Sequence, residues 1–382
     1  MKKLKVMIVL PVLAFLVAYT AIPEKVTVMQ GQSLDFRWGI KAAESTENTG
    51  SFDYRVKLFN CIPIKTVNVS VTPNCYVIPS GEAIGVKIYT DGVLVVGMSD
   101  VCDEDGKRCE PAKKAGICVG DRIVAVNGEE ITGTSAFSKK INDCSGDANL
   151  RVIRGDDIMD INVDAVYSAE NDSYKVGLWV RDSTAGIGTL TFYNPQNSTF
   201  AALGHGICDS DTDEIMTVRR GSVSGCNIRR VEKGTNGSPG ELIGDFSGDK
   251  IGDIALNCNV GIYGRSSNIP DKEPVKVASR LEVKEGKAQI LCDIDGTGVK
   301  SYDIEITKVS KSPKVSNKSF VIKVTDDILL QKTGGIVQGM SGSPILQNGR
   351  IVGAVTHVFV NDPTRGYGIF IENMLAEAEK IK

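Results

Sequence analysis

A serine stands in a glycine-rich turn near the end of this 382-residue chain. The hexapeptide is Gly339-Met340-Ser341-Gly342-Ser343-Pro344, and the apolar run 351–355 follows it. A serine that attacks a carbonyl must sit on a tight turn, with backbone N–H groups aimed at the oxygen that becomes negative. Glycine permits such a turn because it has no Cβ. We predict Ser341 as a nucleophile and the N–H groups of Gly339 and Ser341 as its oxyanion hole, against the alternative of a plain turn between two strands.

The sequence offers only two histidines as partners for this serine, His205 and His357. His205 lies between two glycines, after the strand-like stretch 187–193. His357 follows Ser341 by 16 residues, inside an alternating β-branched run. A general base must reach the serine from a different element, so that it bridges the hydroxyl and the leaving group. We therefore predict His205 as the base, and we expect His357 to pack or to line a substrate cleft.

These motifs sit in a longer pattern that resembles a known family. The matching segments are 203–206, 233–241, 325–326, 334–345 and 353–363. They resemble the stage IV sporulation protein B family of endospore-forming bacteria, which are serine peptidases of the chymotrypsin-like fold group. The resemblance extends from the N-terminal hydrophobic segment to about Met374. It implies Ser341 as the nucleophile and His205 as the base.

The third catalytic member, a carboxylate that orients the histidine, has two candidates. The resemblance implies Asp326, and its neighbour Asp327 has the character of a solvated loop charge. Spacing favours Asp253 instead, because chymotrypsin-like chains carry the acid near the histidine, whereas Asp326 lies only 15 residues before Ser341. We favour Asp326 and keep Asp253 as the rival.

A second module is indicated ahead of the peptidase motifs. Residues 115–128 contain a turn, a short buried strand and the hairpin signal Asn-Gly. This stretch resembles a PDZ domain, which implies Ile84, Gly85 and Val86 as the carboxylate-binding loop and residues 135–142 as the helix that lines the groove. Such a groove binds an extended peptide as an added strand. The alternative is a small β-sandwich that serves only as a spacer.

The N-terminus has the features of an export segment. Lys2, Lys3 and Lys5 precede an uncharged run, residues 6–22, which is marginal in length for a membrane span. A retained anchor and a removed signal peptide both fit this run, and the family resemblance favours an anchor. We expect the lysines to stay inside and the bulk of the chain to be exported across the forespore membrane into the intermembrane space.

Composition sets the fold class and excludes some partners. A net charge of −3 and the absence of a Lys/Arg-rich block argue against nucleic-acid binding. Forty glycines with short Val, Ile and Thr runs predict mainly β structure. We predict an export segment at 1–22, a connecting segment at 23–72, a PDZ domain at 73–166 and a double β-barrel peptidase at 167–382. Residues 54–59 predict a strand that could pair with the PDZ module.

The chain has ten cysteines, and none has a neighbour at zinc-finger spacing, so neither a metal nor another cofactor is expected. Local disulfides and buried free thiols are both compatible with the sequence. The candidate pairs are Cys102 with Cys109, Cys61 with Cys75, and Cys208 with Cys226 or Cys258.

The family resemblance implies a specific activity. It implies an exported serine endopeptidase that cuts itself near its N-terminus and then cleaves a protein of a membrane complex, which leads to activation of a late sporulation sigma factor. The N-terminal segment itself is one candidate ligand for the PDZ groove. The alternative from another class is a catalytically inactive PDZ signalling adaptor, against which the intact serine motif and its histidine argue.

Overall fold

The computed structural model describes residues 19, 22, 24–31, 35–36, 40–41, 48–58, 62–246, 248–310 and 314–381. The predicted export segment, residues 1–22, therefore lies almost wholly outside the described residues. None of the helices in the described part combines the length and the apolar character that a membrane span requires. Strands dominate the described residues, which confirms the prediction of a mainly β chain.

The predicted connecting segment forms a small sheet of its own. Its strands are β1 (Lys25–Met29), β2 (Asp35–Phe36), β3 (Ile40–Lys41), β4 (Gly50–Leu58) and β5 (Ile62–Thr72). The sheet order is β1-β5-β4, and valines that alternate along β5 form its core. The strand predicted at 54–59 thus exists as part of β4, but it pairs with β5 and not with the PDZ module, because the alternating valines give β4 a local partner.

Residues 76–175 contain the start of the first barrel and the PDZ module. Their elements are β6 (Tyr76–Pro79), β7 (Ala83–Met98), β8 (Val101–Cys102), β9 (Arg108–Cys109), α1 (Pro111–Lys114), β10 (Arg122–Val126), β11 (Glu129–Glu130), α2 (Thr134–Asp143), β12 (Asp147–Arg154), β13 (Asp157–Asp164), β14 (Val166–Ser168) and β15 (Ser173–Lys175). The helix expected at 135–142 is α2. The Asn-Gly signal forms the two-residue turn between β10 and β11, where Asn127 and Gly128 both have positive φ.

Residues 178–276 complete the first barrel. Their strands are β16 (Leu178–Asn194), β17 (Thr199–Ala202), β18 (Arg220–Gly225), β19 (Asn227–Glu232), β20 (Glu241–Asp245), β21 (Lys250–Cys258), β22 (Gly261–Ser266) and β23 (Val275–Lys276). The barrel runs β7-β18-β21-β22-β17-β16, and β16 closes it by pairing with β7. Its interior is filled by aliphatic and aromatic side chains such as Ile84, Leu190 and Phe200.

Residues 286–378 form the second barrel. Their elements are β24 (Gly286–Cys292), β25 (Lys300–Val309), β26 (Phe320–Val324), α3 (Asp327–Thr333), β27 (Pro344–Gln347), β28 (Arg350–Phe359), β29 (Asp362–Phe370) and α4 (Ile371–Ala378). The closed order is β24-β25-β26-β29-β28-β27. Alternation along β25 turns Tyr302, Ile304 and Ile306 inward. The prediction of a double-barrel peptidase fold is thereby confirmed.

The PDZ module is inserted into the first barrel. The antiparallel strands β7 and β16 pair from Ala83 and Thr189 to Met98 and Leu178, so one two-stranded ribbon runs from the barrel into the module. The module has a separate core, which includes Ile123, Phe137 and Leu150. The structure therefore places β6 and the first half of β7 in the barrel, although the predicted boundaries 73–166 assigned them to the PDZ domain.

The proposed carboxylate-binding loop, Ile84-Gly85-Val86, requires correction. These residues are not a loop in the structure: they lie within β7 and pair with β16 on one side and β18 on the other. Their backbone groups are thus used by the barrel and cannot receive a chain end. Gly85 is a glycine for a packing reason, because a Cβ at this position would lie 2.4 Å from the ring of Phe246.

Candidate active site

His205 emerges from a tight turn at the end of β17. Leu203 has φ of +68° and Gly204 has φ of +70°, so two successive residues are left-handed. This conformation is uncommon for a leucine, and the buried side chain of Leu203 holds it in place. A Cβ on Gly204 would lie 2.9 Å from Thr356 of the second barrel. The turn therefore presses against the second barrel and delivers His205 to the boundary between the barrels.

The His205 ring is set in the tautomer that a general base needs. Its Nδ1 lies 2.8 Å from the carbonyl oxygen of Gly206. A carbonyl only accepts, so Nδ1 carries the hydrogen and Nε2 keeps its lone pair. Burial lowers the pKa of His205 below its usual value, and the bond to Gly206 only partly opposes this effect. His205 is therefore neutral at pH 7 and ready to accept a proton.

The segment that follows His205 is fixed by polar side chains. Asn257 accepts a hydrogen bond from the N–H of Ile207 and donates to the carbonyls of Ile207 and Met216. The fully buried carboxylate of Asp209 accepts bonds from the backbone N–H groups of residues 211 and 212 and from Arg181. Arg181 lies on β16, in the ribbon that leads to the PDZ module. The histidine loop is thus tied by an ion pair to this ribbon.

The Ser341 turn is held mainly through its backbone. Gly339 and Gly342 have φ of +96° and +97°. Thr189 donates its N–H to the carbonyl of Ser341 at 2.9 Å and its hydroxyl to the carbonyl of Gly339 at 2.8 Å. The hydroxyl of Thr191 donates to the carbonyl of Gly342 at 2.8 Å. Both threonines belong to β16, so the first barrel holds the nucleophile turn of the second.

The predicted oxyanion hole has the required donors. Within the part of the chain that the structure describes, the N–H groups of Gly339 and Ser341 donate no hydrogen bond. A Cβ on Gly339 would lie 3.0 Å from Cβ of Leu242, so the β20 hairpin covers this turn. Two N–H groups without protein acceptors, next to a serine hydroxyl, can bind an oxygen that becomes negative.

The structure brings the two predicted residues, Ser341 and His205, to one place. A Cβ on Gly342 would lie 2.5 Å from the backbone nitrogen of Leu203, so the two turns are in contact. The hydroxyl of Ser341 donates to the carbonyl of Thr356 at 2.7 Å and does not bond to His205. The geometry is therefore a resting one, in which the serine must rotate about its Cα–Cβ bond to reach the base.

Neither acid candidate contacts His205. Asp326 caps α3: one carboxylate oxygen accepts from the N–H of Leu329 at 2.9 Å and the other from the N–H of Asp303 at 3.3 Å. Asp253 is exposed and pairs with Lys250. Among the described residues, no carboxylate accepts a hydrogen bond from the His205 ring. The role of Asp326 as the third member stays a prediction.

The described cysteines are all free thiols: Cys75, Cys102, Cys109, Cys118, Cys144, Cys208, Cys226, Cys258 and Cys292. The candidate pair of Cys61 with Cys75 cannot be placed, because Cys61 lies outside the described residues. No group of His, Cys, Asp or Glu in the described ranges is arranged to hold a metal ion.

One feature of the site agrees with the sequence-based expectation that His357 packs or lines a cleft, and one was not predicted. His357 packs against His205, with ring centroids 5.0 Å apart, and Asp209 anchors the histidine loop. The alternating β-branched run around His357 indicated a strand that follows the nucleophile, but it did not identify His205 as the contact of His357. Nothing in the sequence distinguishes Asp209 from its acidic neighbours Asp211 and Asp213.

Two β-barrels with a serine turn on one and a histidine turn on the other define a chymotrypsin-like serine peptidase. Residues 172–375 match the family model described as SpoIVB peptidase S55, and residues 110–154 match a PDZ domain model. Because the first match spans more than half of the chain, the chain belongs to the SpoIVB peptidase S55 family. It is a serine peptidase with a PDZ domain, as its sequence predicted.

Solved structures of a mycobacterial protease are also similar to this chain. The active form of the Rv3671c protease from M. tuberculosis is 14% identical, with 52% of this chain and 74% of that chain covered and a TM-score of 0.31. The inactive form of Rv3671c protease is 14% identical, with 51% and 84% covered and a TM-score of 0.28. No curated protein matches the chain.

Proposed function

We propose that this peptidase is an exported sporulation endopeptidase that first cleaves itself near its N-terminus. It then cleaves a protein of a membrane complex between the forespore and mother-cell membranes, and this cleavage leads to maturation of a late sigma factor. The sporulation setting is supported by the family to which the chain belongs. Residues 1–22 supply the export segment, which is retained as an anchor or removed by processing.

One observation carries the catalytic part of this proposal. Two contacting turns on different barrels present Ser341 and His205, next to two N–H groups that have no acceptor in the described chain. Ser341 rotates from the carbonyl of Thr356 to Nε2 of His205, which takes the hydroxyl proton as Oγ attacks the peptide carbonyl. The N–H groups of Gly339 and Ser341 stabilise the oxyanion. His205 then protonates the leaving amine, and water hydrolyses the acyl-enzyme by the same steps.

Intact-mass analysis of the expressed protein tests self-processing. We expect the wild type to lose an N-terminal segment and Ser341→Ala to remain at full mass, because alanine cannot form the acyl-enzyme. Ser343→Ala is the matched control: the hydroxyl of Ser343 donates to the carbonyl of Met340 and contacts the buried thiol of Cys292, so this variant should still be processed. Membrane fractionation of the unprocessed Ser341→Ala chain tests the anchor.

Two results of these experiments would contradict the proposed function. Equal processing of the wild type and Ser341→Ala would mean that another protease removes the segment. A wild-type chain that neither processes itself nor reacts with a fluorophosphonate would support the alternative function, a PDZ adaptor with an inactive peptidase half.

A further inference from the structure

His357 lies at an irregular point of β28, beside the active site. Val355 pairs with Gly368 and Val358 with Gly366, so β28 advances three residues while β29 advances two. This is a β-bulge at residues 356–357, a device that redirects a side chain out of the regular alternation. The hydroxyl of Thr356 fixes the bulge through bonds to the carbonyls of Asn317 and Tyr367.

The two residues of the bulge, Thr356 and His357, contact Ser341 and His205 respectively. The carbonyl of Thr356 accepts the hydroxyl of Ser341 at 2.7 Å. The ring of His357 packs on the ring of His205, with centroids 5.0 Å apart and planes inclined by 40°. The same two-residue irregularity thus contacts both the nucleophile and the base.

The contact of His357 with the base is one of ring packing. Its Nδ1 is buried and has no hydrogen-bond partner among the described residues. The contact that the structure shows between this ring and the base is therefore packing against the His205 ring and not a hydrogen bond through Nδ1. Burial, together with the nearby His205 and Lys318, lowers the pKa of His357 to about 4. The ring is therefore neutral at pH 7 and does not repel an imidazolium at His205.

Among the described residues, the His205 ring has one hydrogen bond and one contact with another ring. In the described chain its ring forms one hydrogen bond, to the carbonyl of the adjacent Gly206, and that bond sets the tautomer. A planar ring packed against one face constrains rotation about the Cα–Cβ bond. Small displacements of a general base reduce catalysis strongly, since proton transfer requires hydrogen-bond distance.

We propose that His357 is a positioning residue for the peptidase reaction: its neutral ring packs on His205 and holds the base in the rotamer from which Nε2 reaches the hydroxyl of Ser341. This inference rests on the proposed roles of Ser341 and His205. It adds a function for the second histidine, which acts through His205 and forms no bond to the substrate.

The two-histidine composition gives a direct test. In protein labelled with ¹⁵N-histidine, any variant at position 357 leaves His205 as the only imidazole, so its tautomer and titration can be read by NMR. In His357→Ala we expect the pKa of His205 to rise toward its usual value of about 6.5, because the lost ring admits water to a buried group. The rate of fluorophosphonate labelling at Ser341 should fall about ten- to a hundredfold.

His357→Phe is the matched control, since it keeps a planar ring of similar size and removes both nitrogens. It should label within about threefold of the wild type, because volume-conserving changes are tolerated. If His357→Ala does not fold, His357→Leu replaces it, as it fills the space without a planar ring and should label as slowly.

Two outcomes would overturn the inference. One is a ring-less variant that labels at the wild-type rate with unchanged His205 titration. The other is a Phe variant as slow as the ring-less one, which would assign the effect to a nitrogen. Failure of the proposed function is distinguishable, because then the wild type itself does not label at Ser341. His205→Ala, which should not label, confirms that the assay reads the base.

Discussion

The two turns that meet at the active site are held in different ways. The Ser341 turn is fixed by glycines at positive φ and by threonine hydroxyls and N–H groups of β16 that bind its carbonyls. The loop after His205 is fixed by charged and amide side chains, chiefly Asp209, Arg181 and Asn257. We therefore expect substitutions that add side-chain atoms to disrupt the Ser341 turn. The position of His205 should depend instead on the charges of its loop and on the β7–β16 ribbon that leads to the PDZ module.

The largest effect is expected from Gly342→Ala. A Cβ there would lie 2.0 Å from the carbonyl oxygen of Thr189, and the residue has φ of +97°. We expect background activity and a loss of roughly 4 kcal/mol or more in the free energy of unfolding, measured by urea denaturation. The control is Gly349→Ala, which also has positive φ (+72°) but nothing within 4 Å, and should cost about 1 to 2 kcal/mol. Equal effects of the two variants would show that the turn is not packed as described.

The Asp326→Asn variant tests whether the second barrel also provides the carboxylate that orients His205. Asparagine keeps the N-cap bond from Leu329, but its NH2 group cannot accept from the N–H of Asp303, so the free energy of unfolding should fall by about 1 kcal/mol. If Asp326 is the third member, as the family resemblance implies, turnover should still fall by about three to four orders of magnitude. Steady-state kinetics beside urea unfolding separate these effects. A large loss in Asp253→Asn with a small one in Asp326→Asn would transfer the role to Asp253.

Arg181→Met should weaken the histidine loop. It leaves the fully buried carboxylate of Asp209 without its cation, which we expect to cost about 3 kcal/mol of unfolding free energy and to slow turnover at least severalfold. The double variant Arg181→Met/Asp209→Asn removes the charge as well and should regain part of the loss, as a double-mutant cycle would measure. Additive losses would mean that the ion pair does not hold the loop.

Thr191→Val should give the smallest effect of the series. It removes the hydroxyl that binds the carbonyl of Gly342 and leaves that buried acceptor without this partner, at a cost of about 1 to 2 kcal/mol. Turnover should fall severalfold because the nucleophile turn loosens. Thr199→Val is the control, because this buried hydroxyl bonds to Asn197, away from the turn, and its loss should leave turnover unchanged. Equal turnover in the two variants would contradict the backbone-held turn.

Sequence reasoning reached the local features and missed the ones that depend on tertiary pairing. The glycines around Ser341 and the Asn-Gly turn impose their conformations locally, so the nucleophile turn and the β10–β11 hairpin were predictable. β7 is one continuous strand whose two halves serve different units, and its sequence pattern does not reveal which partner each half has. For the same reason Ile84, Gly85 and Val86 were misplaced in a loop. The role of Asp209 depends on its ion pair with Arg181 of β16, a contact that only the tertiary structure forms.

The central claim is that Ser341 and His205, delivered by turns of two barrels, form the catalytic pair. The most direct measurement is mass-spectrometric mapping of a fluorophosphonate adduct on the purified chain. We predict one adduct, on Ser341, in the wild type and in Ser343→Ala, and no adduct in Ser341→Ala or His205→Ala. An adduct that persists in Ser341→Ala, or an unchanged labelling rate in His205→Ala, would contradict the account.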